Sequence, residues 1–450
     1  MFTRIMVANR GEIALRIART CREMGIETVA VYSKADEGAQ YLRHFDETIC
    51  IGPPPSLQSY LDSTKILAAA EIADVEAIHP GYGFLSENAE FADLVRSCGI
   101  KFIGPPTEAI QKMGDKASAR RIAQEVGVPL LPGSRGLIES EDEALALAHE
   151  IGYPVIIKAS AGGGGRGMRV VHNDISLRNG LVAARTEAEA AFKNGSVFME
   201  RYVERPRHVE FQILGDEHGH LVHLGERDCS LQRRHQKVVE ESPCPLISPE
   251  TRAKMGEDAK RLAAAAGYTN AGTIEFLMDP EGRYYFMEMN TRLQVEHPVT
   301  EMVTGLDLVR EQLLVASGAS MTITRQEDVQ LRGAAIECRI NAEDPSANFR
   351  PSPGLITGYI APGGPGVRLD SHAHAGYRVP PNYDSMIGKL IVYRPTRDEA
   401  IMTMRRALRE YDIQGIATSL PMLREILGHA RFRTSDFDTS FIEQAIIKRP

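Results

Sequence analysis

The N-terminal third of the chain alternates between short apolar runs and amphipathic segments. The apolar runs predict strands at residues 4–8, 28–32 and 77–78. The amphipathic segments predict helices at residues 12–24, 60–71 and 87–97. Because strand–helix alternation requires crossover connections, residues 1–115 are expected to form an α/β unit with a parallel sheet.

The remainder of the chain changes its pattern twice. Residues 116–130 predict a connecting helix, and 131–203 a small inserted α/β unit. Residues 204–330 are strand-rich, with helices expected at 250–266 and 305–317. A mixed α/β unit is expected from residue 331 to 450, opening with alternating residues around 336–339. The predicted domains are therefore 1–115, 116–330 and 331–450, the small unit being part of the second.

Composition excludes several classes of protein. Of 450 residues, 43% are hydrophobic and 25% charged, as in an ordinary globular protein. A net charge of −8 without any long basic run argues against a nucleic-acid partner. No apolar run approaches the roughly 18 residues of a membrane span. The six cysteines form no C-x-x-C pair and no apolar leader opens the chain, so a cytoplasmic protein is expected.

Residues 162–167 form a glycine run that fits the G-x-G-x-x-G pattern of dinucleotide-binding turns. That pattern requires a helix directly afterwards, whereas residues 168–171 have a strand pattern. The run is therefore interpreted as a loop between two strands that closes over phosphates, with Lys158 beside it. The alternative is a flexible surface hairpin.

A second segment predicts a β-hairpin with carboxylates on one face. Residues 273–278 and 284–290 flank the turn sequence Asp-Pro-Glu-Gly at 279–282. If Met278 pairs with Arg283, Glu275 faces Phe286 and lies diagonal to Glu288, about 7–8 Å away at the backbone. Asn290 continues this face, and two carboxylates with an amide oxygen suit Mg²⁺ or Mn²⁺.

The same alternation extends beyond the hairpin. Glu288, Asn290, Arg292, Gln294 and Glu296 share one parity and predict metal ligands followed by an anion clamp and a base. The alternative is a half-exposed strand with one solvated polar face. This prediction depends on an extended backbone beyond Thr291.

Three other groups carry weaker signals. Arg233, His235 and Lys237 alternate along a short segment and predict either a cationic face or a charged edge strand. His218, His220 and His223 are expected to be surface histidines, because metal-binding histidines must converge. Cys229 is expected to be structural, since no base is readable beside it.

Several motifs together resemble those of the ATP-grasp biotin carboxylases, and the resemblance runs nearly end to end. The matching segments are residues 8–14 (ANRGEIA), 79–88 (HPGYGFLSEN), 113–116 (MGDK), 158–168 (KASAGGGGRGM), 227–237 (RDCSLQRRHQK), 286–298 (FMEMNTRLQVEHP) and 337–344 (ECRINAED). The resemblance implies a Rossmann-like N-terminal sheet, an ATP-grasp domain with a small α/β lid, and a mixed C-terminal domain.

The resemblance also implies roles for individual residues. ATP would contact Lys116, Lys158, the lid residues Gly163, Gly164, Gly165, Arg166, Gly167 and Met168, and Glu200, Arg201, Val203, His208, Gln232, His235, Glu275 and Glu288. Two Mg²⁺ or Mn²⁺ ions would be held by Glu275, Glu288 and Asn290. Bicarbonate would be held by Lys237, Arg292, Gln294 and Val295. Biotin would contact Tyr82 and Arg339, and the catalytic set would be Glu296, Arg292, Arg339 and Lys237.

The implied activity is carboxylation of biotin on a carrier protein, through carboxyphosphate, as the first half-reaction of acetyl-CoA carboxylase in fatty acid synthesis. The expected partners are a biotin carboxyl carrier protein and carboxyltransferase subunits, because the chain lacks room for the latter and lacks a Met-Lys-Met attachment string. A homodimer is also implied. However, Pro365 stands where related bacterial subunits often have a phenylalanine at a dimer contact.

Three alternatives remain open. The chain could serve another acyl-CoA or pyruvate carboxylase. It could be a different ATP-grasp ligase, which would share the lid and carboxylates without needing Arg339. It could be a kinase-like nucleotide-binding regulator, against which Glu296 and Lys237 argue.

Overall fold

The computed structural model describes residues 1–134, 136–160, 168–192 and 194–447. The N-terminal elements are β1 (Arg4–Val7), α1 (Gly11–Glu23), β2 (Glu27–Ser33), β3 (Glu47–Gly52), α2 (Ser63–Ile72), β4 (Ala77–His79), α3 (Ala89–Ser97) and β5 (Lys101–Phe102). Their five strands form one parallel sheet in the order β3-β2-β1-β4-β5. The predicted parallel α/β sheet is confirmed.

The apolar pattern accounts for the central position of β1. Ile5, Met6 and Val7 are fully buried, since helices cover both faces of the sheet. Ile13 and Ile17 on α1 are buried on the predicted apolar face. The helix predicted at 60–71 begins three residues later, because Asp62 caps it by accepting from the Lys65 backbone N–H.

A small α/β unit follows two connecting helices. The elements are α4 (Thr107–Gly114), α5 (Lys116–Glu125), α6 (Glu141–Ile151), β6 (Val155–Ala159), β7 (Met168–Val171), α7 (Asp174–Phe192) and β8 (Val197–Arg201). The strands form an antiparallel sheet in the order β7-β6-β8. Its own apolar core, which includes Val155, Leu177 and Leu181, makes it a compact lobe beside the main body.

The central body is built on a long antiparallel sheet. Its elements are β9 (Arg207–Gly215), β10 (Leu221–Arg233), β11 (Gln236–Ser242), α8 (Pro249–Ala265), β12 (Asn270–Met278), β13 (Tyr284–Asn290), α9 (His297–Thr304), α10 (Leu308–Ala316) and β14 (Ala334–Asn341). Helix α9 was not predicted from the sequence. Its apolar residues Val299 and Val303 pack on the sheet near Ala335 and Ile391.

The C-terminal elements complete this sheet and add short strands and helices. They are β15 (Glu343–Asp344), β16 (Arg350–Pro351), β17 (Gly354–Leu355), β18 (Gly358–Ile360), β19 (Val367–Ser371), β20 (Arg378–Val379), β21 (Met386–Arg394), α11 (Arg397–Glu410), β22 (Asp412–Gln414), α12 (Leu420–Gly428), α13 (Ala430–Arg433) and a π-helix (Ile442–Ile447). The eight-stranded order is β13-β12-β9-β10-β11-β14-β21-β19. One sheet thus continues across the boundary predicted at residue 331.

Among the described residues, no helix combines the length and the hydropathy that a bilayer crossing would require.

Candidate active site

One cavity of about 840 Å³ lies where the N-terminal loops, the small unit, the central sheet and the C-terminal strands meet. Most of the predicted site residues line it: Tyr82, Lys116, Lys158, Met168, Glu200, His208, Gln232, His235, Lys237, Glu275, Glu288, Asn290, Arg292, Gln294, Val295 and Arg339. Arg201, Val203 and Glu296 are absent from the lining. Gly163, Gly164, Gly165, Arg166 and Gly167 lie outside the described residues.

The carboxylate hairpin forms, but in a different register from the prediction. Met278 pairs with Tyr284 instead of Arg283, and Glu275 lies directly opposite Glu288, not diagonal to it. Arg283 is drawn into the turn because the Asp279 carboxylate accepts from its backbone N–H at 2.8 Å. A β-bulge beside Glu275 then adds one residue to β13 and brings the two carboxylates face to face.

This pair belongs to a row of charges across four neighbouring strands. Glu275 is also paired with Glu210 on β9, and Glu210 with Arg227 on β10. Glu210 and Arg227 are fully buried, and Arg227 also donates to Gln212, Thr273 and Thr300. Sequence reasoning missed Glu210, although the alternation of polar residues in β9 could have indicated it.

Lys237 connects this row to the rest of the site. Its Nζ lies 2.8 Å from Glu275 Oε1 and 2.7 Å from Glu296 Oε1, and it also contacts Glu210. Burial alone would lower the pKa of Lys237, but the three carboxylates raise it well above its usual value. Lys237 is therefore a fixed cation among three carboxylates.

Glu296 lies at the centre of the site without reaching the cavity wall. It precedes the first residue of α9 and is fully buried. Its Oε2 accepts from Arg339 Nη2 at 2.9 Å, while Oε1 faces Lys237. Burial alone would raise the pKa of Glu296, but Lys237 and Arg339 hold it well below its usual value. The carboxylate is therefore ionised at neutral pH.

The residues after β13 converge for a reason other than the predicted alternation. The strand ends at Asn290, so Arg292, Gln294 and Glu296 do not continue an extended face. Instead, the Arg292 guanidinium folds back to donate to Asn290 Oδ1 at 3.1 Å and to Gln294 Oε1 at 2.9 Å. Glu87, from the loop before α3, accepts from Arg292 Nε at 2.8 Å and was missed in the sequence.

Arg233, His235 and Lys237 likewise do not lie on one strand face. Arg234 and His235 have positive φ and form the two-residue turn between β10 and β11. The Arg233 guanidinium lies 3.1 Å from the Glu343 carboxylate, and His235 and Lys237 both line the cavity. The pKa of His235 is lowered by burial and by Lys158.

The end of the cavity formed by the small unit holds another ion-paired group. Lys158 Nζ lies 2.6 Å from Glu200 Oε2, and Arg120 contacts the other oxygen of that carboxylate. Burial would raise the pKa of Glu200, but Lys158 and Arg120 lower it. Strands β6 and β7 flank residues 161–167, so the glycine run connects two antiparallel strands, unlike a dinucleotide-binding turn.

The three histidines at 218, 220 and 223 do not form one group. His218 and His220 lie at the turn before β10, where His220 Nδ1 contacts Asp216 at 2.8 Å. His223 is buried, which corrects the expectation of a surface residue. It lies under α8, where a Cβ on Gly256 would come within 2.2 Å of its ring. Burial lowers the pKa of His223 to about 4.

Cys229 and Tyr82 lie close to charged groups of the site. Cys229 is buried with its Sγ 3.8 Å from Glu296 Oε1, and burial raises the pKa of the thiol well above its usual value. The Tyr82 hydroxyl donates to Glu12. Glu12 also lies 3.2 Å from Lys389, which in turn donates to the Val295 carbonyl at 2.9 Å.

The facing carboxylates fit a divalent cation. Glu288 is half-buried, and within the described part of the chain no hydrogen-bond donor contacts its carboxylate. Burial and the neighbouring Glu275 raise the pKa of Glu288. Asn290 lies beside Glu275, its Nδ2 donating to Glu275 Oε1 at 2.8 Å and its Oδ1 accepting from Arg292 at 3.1 Å. With the amide turned so that Oδ1 faces the carboxylates, the donor set would consist of the hard oxygen atoms that Mg²⁺ or Mn²⁺ prefers.

Family models cover almost the whole chain. "Biotin carboxylase, N-terminal domain" matches residues 1–110, "Carbamoyl-phosphate synthase L chain, ATP binding domain" residues 115–324, and "Biotin carboxylase C-terminal domain" residues 337–444. The fold and the ATP-binding domain define an ATP-grasp ligase. The flanking domains narrow the class further, and the chain belongs to the biotin carboxylase family.

Relatives of several kinds resemble the chain over its length. Biotin carboxylase 1 of Bacillus subtilis is 56% identical over 444 residues, 98% of each chain. A pyruvate carboxylase subunit from Methanothermobacter thermautotrophicus is 52% identical over 99% of this chain and 90% of its own. The biotin carboxylase domain dimer of Hydrogenobacter thermophilus 2-oxoglutarate carboxylase, solved with MgADP, ADP and bicarbonate, has a TM-score of 0.94 at 46% identity, covering 100% and 99%.

Proposed function

We propose that the chain uses ATP and bicarbonate to carboxylate biotin on a separate biotin carboxyl carrier protein. The observation that best supports this is the position of Glu296 between Lys237 and Arg339, next to the Glu275–Glu288 pair. A carboxylate base, two cations for an anion and two metal-binding carboxylates are thereby associated with one cavity.

ATP is assigned to the end of the cavity nearest the small unit. Lys116 and Lys158 would contact its phosphates, and the wall with Glu200, His208 and Gln232 would hold the nucleotide. Within that wall, His208 lies 3.0 Å from Glu275 and 2.7 Å from Gln232, so these side chains support one another. The role of residues 163–167 as a closing lid, and those of Met168, Arg201, Val203 and His235, stay predictions.

Glu275, Glu288 and Asn290 would hold the metal, for which two Mg²⁺ or Mn²⁺ ions are proposed. Bound there, the metal would offset and orient the charges of the ATP phosphates. The Lys237 ammonium would then interact less with Glu275 and would bind the anion that enters beside it.

Bicarbonate is assigned to Lys237, Arg292, Gln294 and the backbone at Val295. Glu296, ionised at neutral pH, would accept the bicarbonate proton. The bicarbonate oxygen would then attack the γ-phosphorus of ATP, breaking its bond to the ADP oxygen and forming carboxyphosphate. Lys237 lowers the pKa of Glu296 and would also bind the anion, so this one cation would hold base and substrate together.

The second part of the reaction is assigned to Arg339 and Tyr82. Carboxyphosphate would break its C–O bond to give CO₂ and phosphate, and the phosphate would take the N1′ proton of biotin. Arg339 would stabilise the resulting enolate while N1′ forms its bond to the CO₂ carbon. Its guanidinium lines the cavity beside Glu296, which fits this role.

We propose acetyl-CoA as the final acceptor, which would place the chain at the start of malonyl-CoA and fatty acid synthesis. Pyruvate and 2-oxoglutarate carboxylases use related subunits and are the alternatives. Reconstitution with the carrier and carboxyltransferase of the same cell, assayed with the three acceptors, tests the assignment. Carboxylation of pyruvate or 2-oxoglutarate in place of acetyl-CoA would contradict it.

We also propose a cytoplasmic homodimer. The Hydrogenobacter domain is described as a dimer, which supports this assembly. Pro365 is exposed, and its carbonyl accepts from Arg394 at 2.6 Å. Sedimentation of the purified chain at micromolar concentration tests the assembly, and a purely monomeric species would contradict it.

The activity itself is tested by bicarbonate-dependent ATP hydrolysis with free biotin as acceptor. Biotin should raise ATP turnover, and omission of bicarbonate should abolish that increase. Acetate in place of bicarbonate is the matched control, because it cannot yield carboxyphosphate. ATP turnover that biotin does not change would contradict the proposal.

A further inference from the structure

Two glutamates that the proposed reaction does not use lie behind Arg339. Glu240 on β11 and Glu337 on β14 are directly opposite each other in the antiparallel ladder. Both are fully buried. Directly opposed residues have Cβ atoms roughly 4.5–5.5 Å apart, so their carboxyl groups are within hydrogen-bonding reach of one another.

The hydrogen bonds of this pair are incomplete without an added proton. Glu240 Oε1 accepts from Arg339 Nε at 2.6 Å. Glu240 Oε2 and both oxygens of Glu337 have no hydrogen-bond partner in the described part of the chain. A buried carboxylate without partners is strongly unfavourable, and two charged carboxylates side by side more so. One proton on Glu337 would provide a donor for Glu240 Oε2.

The surrounding charges do not neutralise a second negative charge. Arg339 is shared with Glu296, and Lys389 on β21 lies against Glu12 and the Val295 carbonyl. The charged and titratable groups that face the pair are Lys237, Cys338, Arg339 and Lys389 from its own and adjacent strands, Glu296 from the start of α9, and Cys229 from β10. Burial raises the pKa of Glu240 to about 7 and raises that of Glu337 well above its usual value.

We propose that Glu240 and Glu337 share one proton and together act as the positioning group for Arg339. Glu240 accepts a hydrogen bond from Arg339 Nε, so the Nη atoms of the guanidinium face Glu296 and the cavity. Glu337 holds Glu240 in place without adding a charge. The inference rests on the proposed function in one respect, namely that Arg339 acts on the biotin enolate.

The kinetic test compares E240Q with E337Q in the full chain. E240Q removes the charged acceptor of Arg339 Nε, so kcat for biotin carboxylation should fall about tenfold or more while KM for ATP changes less than about twofold. E337Q keeps position 337 uncharged, leaves the single negative charge on Glu240 and supplies an N–H donor, so its kcat should stay within about threefold of the parent. If E240Q does not fold, E240D can replace it. Its shorter side chain keeps the negative charge but moves it away from Arg339, so kcat should fall by an intermediate amount.

E241Q is the matched control. Glu241 is the next residue on β11, is equally buried, and pairs with Arg397 at 2.6 Å on the other face of the sheet. Its replacement should lower the melting temperature but leave kcat with biotin unchanged. If E240Q and E241Q have the same kinetic parameters, Glu240 is only structural and the positioning role is wrong.

A second test needs no activity. The native pair binds its proton more tightly than unfolded glutamates, so the parent should lose stability as pH rises from about 4.5 through about 7. E337Q has no such proton to lose. The melting temperature of E337Q should therefore rise relative to that of the parent as pH increases over that range. A pH-independent difference would overturn the shared proton.

The outcomes separate this inference from the proposed function. A parent enzyme without biotin-dependent turnover would contradict the proposed function and leave the stability test of the carboxyl pair intact. An active parent in which E337Q loses as much kcat as E240Q would overturn the inference alone, since Glu337 would then be needed as a charge.

Discussion

The two ends of the cavity hold their charged side chains in different ways. At the end formed by the small unit, Lys158 and Glu200 extend from adjacent strands of a three-stranded sheet, and Arg120 joins them from α5. At the other end, Lys237 on the eight-stranded sheet contacts Glu210 and Glu275 of the same sheet, and Glu296 directly before α9. All four side chains are buried or nearly so. Under the proposed function, the chemistry takes place at the end held by the eight-stranded sheet, and the ATP phosphates bind at the end formed by the small unit.

The largest expected effect comes from removing Glu296, the proposed base, at the end held by the eight-stranded sheet. Glu296→Ala should lower kcat by roughly 10²–10⁴, as expected for loss of a general base. ATP should still bind, because its proposed contacts Lys116, Lys158 and Glu200 lie at the end of the cavity nearest the small unit. Turnover and equilibrium nucleotide binding measure the two effects separately. Near-normal turnover would rule out Glu296 as the base.

A smaller effect is expected at Glu275 and Glu288, the proposed metal ligands, which lie where the two ends meet. Glu288→Gln keeps the shape but removes the charge opposite Glu275, so the Mg²⁺ concentration for half-maximal activity should rise about tenfold or more. Titration of Mg²⁺ at saturating ATP measures this. Glu281→Gln, at the exposed turn of the same hairpin, is the control and should leave the Mg²⁺ dependence unchanged. An unchanged requirement in the Glu288 variant would place the metal elsewhere.

The small-unit end should respond mainly through substrate binding. Lys158→Gln removes a proposed phosphate contact, so KM for ATP should rise about tenfold with a smaller change in kcat. Lys254→Gln, on α8, is a control outside the cavity lining. Initial rates across ATP concentrations separate the two parameters. A fall in kcat alone would mean that this end takes part in chemistry, and the contrast between the two ends would fail.

The smallest effect concerns the back of the central sheet. His223 is neutral when buried, with a pKa lowered from 6.5 to about 4, so folding loses stability as pH falls below about 6.5. Between pH 7 and 5 this one group should contribute about 2 kcal/mol of acid sensitivity. His223→Gln should therefore show a smaller drop in unfolding free energy over that range, measured by denaturant titration. An equal drop in both proteins would contradict the assignment.

Local patterns in the sequence were sufficient for most elements and for part of the cavity lining. The family resemblance alone predicted the cavity residues Tyr82, Lys116, Glu200, His208, Gln232 and Arg339. The parallel N-terminal sheet and the strand on each side of the glycine run follow from the period of apolar residues. Glu275, Glu288 and Asn290 follow from the polar face of the predicted hairpin, and Lys158 from its place beside the glycine run. These features depend on neighbours within a few positions, which is the range that a pattern records.

Features set by distant contacts could not be predicted. The bulge that places Glu275 opposite Glu288 depends on the turn at Asp279 and on pairing with β9. Glu240 is an ordinary buried strand position until the sheet brings it to Arg339. The end of β13 at Asn290 removed the predicted alternation, yet Arg292 and Gln294 still converged, through a turn and not through strand parity.

The continuity of the eight-stranded sheet across residue 331 has a consequence for how this enzyme can be divided. Arg339 reaches Glu296 only because β14 is hydrogen-bonded to β11, and a one-residue slip in that ladder would turn its side chain to the opposite face. A split enzyme or chimera with its junction at 331 separates β14 from β11, so the two pieces must rebuild that strand pair to one-residue accuracy. The family resemblance suggests three exchangeable domains, but the shared sheet joins the second (116–330) and the third (331–450) into one structural unit.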